Sequence, residues 1–365
     1  MSKRVYRSWK KVGKEVLFLA TGENNPRNGE GAFIRLKNGD ILHVYTAYYG
    51  DDYNDHCSAD LFGVVSSDEG ESWSKPFCVV KKPEGAENVM SVSLLRMQNG
   101  DIGLFFLEKY TKDGHILDRM KMLRSSDEGK SFGEPILCID DGDYYVVNND
   151  RAVRLNDGRI LIPAALHSAF LLDREGEDHG KGKVFFFASE DDGRSFKKLG
   201  CELVSPYLDI SVGLQEPGVY QLDDGRIWAW FRTNLGFQYE AFSADGAESW
   251  SEIRPNLFFS SPRSPMQVKR VGKYTVAIYN PIPAHAANPL PFGMDRTPFM
   301  LSVSEDGGRT FARSYLIEDD LRNAYCYPAV IEGEDYFLVA YYHSNGTEQF
   351  LNCGKIVKIK FDEIG

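Results

Sequence analysis

Apolar residues in this chain come in short alternating runs that halt at a turn and resume. The first pair covers 33–36 and 41–45, with Asn38-Gly39 between them. Three more follow: 92–96 and 102–106 around Asn99-Gly100, 152–155 and 160–163 around Asp157-Gly158, and 219–222 and 227–231 around Asp224-Gly225. Two weaker pairs, 268–271 with 274–279 around Gly272 and 329–331 with 336–342 around Glu332-Gly333, complete a set of six. Alternation with period two predicts strands. Asn-Gly or Asp-Gly between such runs predicts tight hairpins, because both central residues then need positive φ.

A second repeat runs out of phase with the hairpins. The pattern Ser-x-Asp-x-Gly-x-Ser/Thr-Trp/Phe starts at Ser66, Ser125, Ser189, Ser243 and Ser304, at spacings of 59, 64, 54 and 61 residues. The fourth copy carries Ala247 in place of glycine. Its aspartate can accept backbone N–H bonds, its glycine permits φ > 0, and its aromatic can pack between sheets, so these segments read as structural turns. Six hairpins and five such turns are what six four-stranded blades would produce. The missing sixth turn fits a closing blade shared between an N-terminal strand and 356–361. The prediction is an all-β, six-bladed β-propeller of four-stranded antiparallel blades, forming one domain over 1–365.

Charge and composition narrow the function. A net charge of −11 speaks against a nucleic-acid surface but leaves room for a small anionic ligand in a locally basic pocket. The six cysteines are scattered without CxxC pairs and are expected to be reduced. The apolar run at 16–20 is too short for a signal segment and no stretch reaches membrane-span length, so a cytoplasmic address without a membrane partner is expected. Seven histidines show no HExxH-type spacing, and no phosphate-binding glycine loop follows a strand, so neither metal nor cofactor is expected. Oligomeric state stays open.

The repeated turns resemble the Asp-boxes of the sialidases, and the resemblance spans nearly the whole chain. That family carries arginine, aspartate, glutamate, arginine, arginine and tyrosine in this order. Arg27, in Pro26-Arg27-Asn28-Gly29, stands where the family has Phe/Tyr-Arg-Ile-Pro; the Ile-Pro is absent, and Arg35 is the competing choice. The loop at 50–56 precedes the first box and offers Asp55, with Asp52 as the alternative and His56 beside it to tune the acid or touch substrate. Glu216 opens an inner strand in Leu214-Gln215-Glu216-Pro217-Gly218-Val219, and Arg232 follows sixteen residues later. Arg296 follows Asn288-Pro289 and precedes the last box. Tyr325 lies in Ala324-Tyr325-Cys326 where the family reads Ala-Tyr-Ser, with Tyr327 as its competitor. Asn148-Asn149-Asp150-Arg151, with Asn149 and Arg151 the chosen contacts, opens the third blade, whose hairpin His167 closes, and Glu87-Asn88 opens the second. All stand where inner strands line a propeller channel, either touching sugar hydroxyls or sealing blades.

The resemblance implies a retaining exo-glycosidase that releases terminal α-linked sialic acid or a related ulosonic acid. Three guanidiniums would clamp the substrate carboxylate. A tyrosine nucleophile would replace the usual second carboxylate, as in sialidases. Glu216 would take the phenol proton and Asp55 would act as acid and base. Two other readings survive: a hydrolase or transferase for a different acidic sugar, and a non-catalytic propeller binding glycan or protein. The enzyme readings require Arg27, Asp55, Glu216, Arg232, Arg296 and Tyr325 to converge at one end of the axis, with the Tyr325 hydroxyl near Glu216.

Overall fold

The structure, a computed structural model, describes residues 9–50, 52, 54–167, 181–207, 212–283, 295–344 and 351–365. Its strands form six antiparallel sheets arranged as a six-bladed propeller. The first five blades follow chain order. Their innermost strands are Arg27–Arg35, Ala86–Arg96, the split pair Tyr145–Val146 and Val153–Arg154, Gln215–Gln221 and Gln267–Val271. The sixth blade has Tyr325–Glu332 innermost, then Tyr336–His343 and Cys353–Lys360, and takes its outermost strand, Lys14–Leu19, from the start of the chain. Closure by the first strand explains why five boxes serve six blades. Among the described residues the only helix is Phe361–Ile364, and none is long and apolar enough to cross a membrane.

Alternation along the strands places one apolar face against each neighbouring blade, so the core is a ring of seams. Ile34, Val44, Leu94 and Leu104 join the first two blades, and Phe105, Met122, Ile160 and Phe187 join the next two. Phe186 with Phe231, Trp230 with Tyr279, and Ile278 with Tyr341 continue the ring. Phe33 and Ile41 close it against Leu338 and Ile356 of the sixth blade. Burial of such side chains, each worth roughly 1.5–3 kcal/mol, holds every blade through its neighbours rather than by itself.

Each box is a closed hydrogen-bonded turn. In the first, the Ser66 hydroxyl donates to Asp68 Oδ1 at 2.8 Å, and the Ser72 backbone N–H donates to the same oxygen at 2.9 Å. These donors hold the Asp68 carboxyl at about 2, with the Ser72 hydroxyl the main cause. The fourth box keeps the turn without its glycine: Ala247 sits at φ 76 and its N–H donates to Ser243 Oγ at 2.9 Å. Gly70 has less freedom, since at φ 83 a Cβ would lie 2.9 Å from a Leu338 methyl of the sixth blade. Gly70→Ala is therefore expected to cost roughly 1–3 kcal/mol in urea unfolding, from left-handed strain plus overpacking.

One backbone feature recurs in every blade. At or just before each inner strand a non-glycine residue takes the left-handed conformation: Glu30 (φ 53), Ser91 (φ 59), Asp150 (φ 55), Glu216 (φ 41), Arg263 (φ 60) and Tyr327 (φ 59). Four of them sit in ladder irregularities, between Gly29 and Ala32, Met90 and Ser93, Gln215 and Gly218, and Cys326 and Ala329. Bulges of this kind re-aim a side chain. Here five of the six, all but Asp150, line a single cavity.

Candidate active site

The cavity encloses about 460 Å³ where the inner strands begin. Of the residues singled out from sequence, Arg27, Asp55, Glu216, Arg232 and Arg296 line it. Glu216 is buried and forms an ion pair with Arg232 Nη1 at 2.5 Å. Burial raises its pKa, but Arg232 first and then Arg296 more than offset this and hold the carboxyl below its ordinary value.

The tyrosine that meets Glu216 is Tyr327, whose hydroxyl donates to Glu216 Oε1 at 2.7 Å. This corrects the expectation for Tyr325. Its ring packs in the seam of the last two blades, against Phe299, Tyr341 and His343, and it does not line the cavity. The bulge after Cys326 breaks the alternation that would have kept the two tyrosines on one face. Burial holds the Tyr327 hydroxyl well above the usual phenol range, and Glu216 adds to this, while Arg232 and Arg296 pull it down.

Arg296 is buried under this pair, with its guanidinium 5.6 Å from the Tyr327 ring centroid. It donates to Cys326 Sγ at 3.0 Å and to the Arg263 carbonyl at 3.3 Å. Asn288-Pro289 lies outside the described residues. Arg263, not foreseen from sequence, adds another guanidinium to the wall; burial and the nearby Arg232 lower its pKa.

Arg27 is held from all sides. It lies over the rings of Tyr48 and Tyr342 at 4.7 and 4.8 Å, and Nε donates to the Tyr342 hydroxyl at 2.8 Å. Its remaining nitrogens reach Asp55 at 2.5 Å and Glu30 at 3.0 Å. Desolvation raises the Asp55 pKa, yet Arg27 and then Lys109 outweigh it and hold the carboxyl well below the ordinary range. Glu30 also accepts from Ser91 Oγ at 2.7 Å, and burial pushes it up to about 6 against the pull of Arg27.

Other expectations fall away from the cavity. Asp52 is exposed and accepts from Asn54 within its own loop, and His56 is an exposed turn residue beside Asp55; neither lines the wall. Arg35 pairs with Glu69 at the first box. Asn149 donates to the Gly31 carbonyl at 2.8 Å, and Arg151 to Gln267 and the Met266 carbonyl at 2.8 and 2.7 Å. Both are buried cross-blade ties rather than sugar contacts. Asn149 Nδ2 and the two Arg151 Nη groups are spent on the backbone and side chains of other blades.

The opposite wall went unread from sequence, apart from Asn148 and His167. It is built by Lys109 and Asp118 of the second blade with Tyr144, Asn148 and His167. Burial pushes Asp118 up to about 7, although Lys109 pulls it down and Asp55 pushes it further up. A folded-state value above the unfolded one means that native protein binds the extra proton. This carboxyl therefore lowers stability as pH rises from about 4 to about 7, by on the order of a few kcal/mol. Asp118→Asn should flatten that part of a stability–pH curve measured by urea unfolding. Among the described residues no three His, Cys, Asp or Glu side chains are grouped to hold a metal ion.

Six blades carrying five boxes around this cavity define a sialidase-like propeller. The chain belongs to the BNR repeat-like domain family, whose model matches residues 8–342. Among solved structures it is similar to a protein of unknown function from Dyadobacter fermentans, at 19% identity and TM-score 0.72, covering 95% of this chain and 99% of that one. It is also similar to Trypanosoma rangeli sialidase in complex with sialic acid, at 13% identity and TM-score 0.71, covering 96% and 59%. A third is the intramolecular trans-sialidase of Ruminococcus gnavus, at 12% identity and TM-score 0.69, covering 95% and 97%. No curated protein matches the chain.

Proposed function

We propose that this protein is a retaining exo-glycosidase for a carboxylate-bearing sugar, releasing terminal α-linked sialic acid or a related ulosonic acid, with Tyr327 as nucleophile. The observation that carries the reading is the Tyr327–Glu216 hydrogen bond of 2.7 Å beside the guanidiniums of Arg232 and Arg296. Two of the similar structures are a sialidase and a trans-sialidase. Arg232 and Arg296 receive the substrate carboxylate, with Arg27 joining when its own partners yield.

In the first step the Tyr327 oxygen bonds to the anomeric carbon as Glu216 takes the phenol proton. The glycosidic C–O bond breaks and Asp55 protonates the leaving oxygen. In the second, Asp55 removes a proton from water, which attacks the anomeric carbon from the vacated side. The tyrosyl bond breaks and Glu216 returns its proton to the phenolate. Configuration is retained because two inversions occur. Asp55 starts ionised because Arg27 holds it so. A substrate carboxylate that engages Arg27 loosens that pair and lifts the Asp55 pKa, so the acid form is populated in the complex.

The test is a panel of fluorogenic α-glycosides of sialic acid, deaminated sialic acid and uronic acids. Turnover of at least one ulosonide, with retained anomeric configuration by NMR, is the expected result. No turnover of any acidic sugar would overturn the enzyme reading in favour of a binding propeller.

A further inference from the structure

We propose that the wall facing the arginines is a second recognition subsite, where Asp118 and Lys109 together hold one hydroxyl group of the ligand. The inference rests on the reading above for the ligand's class, an acidic sugar.

Lys109 and Asp118 are direct partners across the hairpin of the second blade, so their side chains leave the same face of the sheet. Both line the cavity while being only 3% and 2% exposed. Lys109 Nζ donates to the Asp55 carbonyl and to the Tyr144 hydroxyl, each at 3.1 Å, which uses two of its three N–H groups. Asp118 has neither oxygen hydrogen-bonded to any described residue. A buried carboxylate without hydrogen bonds is costly, and native folds rarely keep one without a use.

The pair selects its guest by chemistry. With Asp118 ionised, above its raised pKa, a group placed between them must donate to the carboxylate and accept from the ammonium. A hydroxyl does both through one atom. A second carboxylate would be repelled by Asp118, an ammonium by Lys109, and an alkyl group would leave Asp118 still unpaired. An acylamino group carries its donor N–H and its acceptor carbonyl on separate atoms, so it would have to span the pair and find room for a methyl that neither residue can pair. The subsite therefore favours a hydroxyl where the alternative is an acylamino group.

The experiment is calorimetric titration of the whole protein with deaminated sialic acid, its monodeoxy analogues and N-acetylneuraminic acid. In the wild type one monodeoxy analogue and the N-acetyl sugar should each bind roughly 10–100-fold more weakly than the deaminated parent. Asp118→Leu should bring the series within about threefold of one another, and Asp118→Asn, which keeps an acceptor, should restore part of the discrimination. Thermal unfolding of both variants checks that they are folded. Equal binding of all analogues to the wild type, or tighter binding of the N-acetyl sugar, overturns the subsite.

A second arm needs no carboxylate recognition: the ¹³C shift of the Asp118 carboxyl is followed while neutral xylitol is added. If no acidic sugar binds but xylitol moves that resonance, the proposed function fails and the subsite stands. If acidic sugars bind without discrimination and xylitol leaves the resonance unmoved, the subsite alone fails. If no acidic sugar binds and xylitol leaves the resonance unmoved, both are overturned.

Discussion

Tyr327→Phe is expected to lower kcat on a responsive ulosonide by at least about 10³-fold, because it deletes the attacking oxygen and nothing else. Tyr325→Phe, two residues away, should stay within about threefold of wild type, since its ring lies in the seam with Phe299 and Tyr341, away from the cavity. The contrast is useful because both substitutions remove the same atom from neighbouring positions of one strand. A fluorinated sialosyl inhibitor, followed by peptide mass analysis, should mark Tyr327. Label on any other residue would end its assignment as nucleophile.

Glu216→Gln should cost roughly 10²–10⁴ in kcat, since the amide keeps the shape but cannot take the phenol proton. The pH behaviour carries a further signature. Glu216 has its folded-state pKa depressed by Arg232 and Arg296, so it stabilises the fold above the ordinary carboxylate value and loses that contribution as pH falls below it. The variant should therefore lose stability at neutral pH, roughly 3–5 kcal/mol if the buried Arg232 charge is left without compensation, and less at acid pH. Urea unfolding at pH 7 and pH 3 reads the difference. Loss of kcat without any change in this pH dependence would show that Glu216 is not the charge that Arg232 depends on.

The architecture was legible because its signals are local and repeated. Asn-Gly and Asp-Gly turns and the five boxes each dictate a few dihedrals, and repetition at a near-constant spacing removes the ambiguity of any one copy. The boxes also acted as markers along the chain, and five of the six principal site residues came to one cavity. What failed was counting by twos. Tyr325 and Tyr327 share a face only in an unbroken strand, and the irregularity between Cys326 and Ala329 breaks it. A signal was available within the chain itself. Glu216-Pro217-Gly218-Val219 and Tyr327-Pro328-Ala329-Val330 occupy the same place in two blades, and setting them side by side puts Tyr327 where Glu216 stands.

Asp118 and Lys109 had no such marker. They lie on the long hairpin Ile102–Lys112 with His115–Ser125, away from the start of any inner strand, and line the cavity from there. Asn149 and Arg151 failed for the opposite reason. They stand at the start of an inner strand, as expected of channel-lining residues, but Arg151 reaches across to Met266 and Gln267 of the fifth blade.

The six left-handed residues give each blade one kink whose side chain can be exchanged without disturbing the ladder behind it. Glutamate, serine, aspartate, glutamate, arginine and tyrosine already share that backbone shape. Glycine at any of them would relieve about 1 kcal/mol of backbone strain, and at the cavity-lining five it would also empty the socket. At Glu30, Asp150 and Glu216 the ion pairs with Arg27, Lys269 and Arg232 outweigh that relief, but at Ser91 and Tyr327, where no paired charge is lost, drift towards stability and drift towards inactivity run in the same direction. A propeller of this kind that has lost its chemistry should betray it first as glycine at the places of Ser91 and Tyr327, with its boxes still intact.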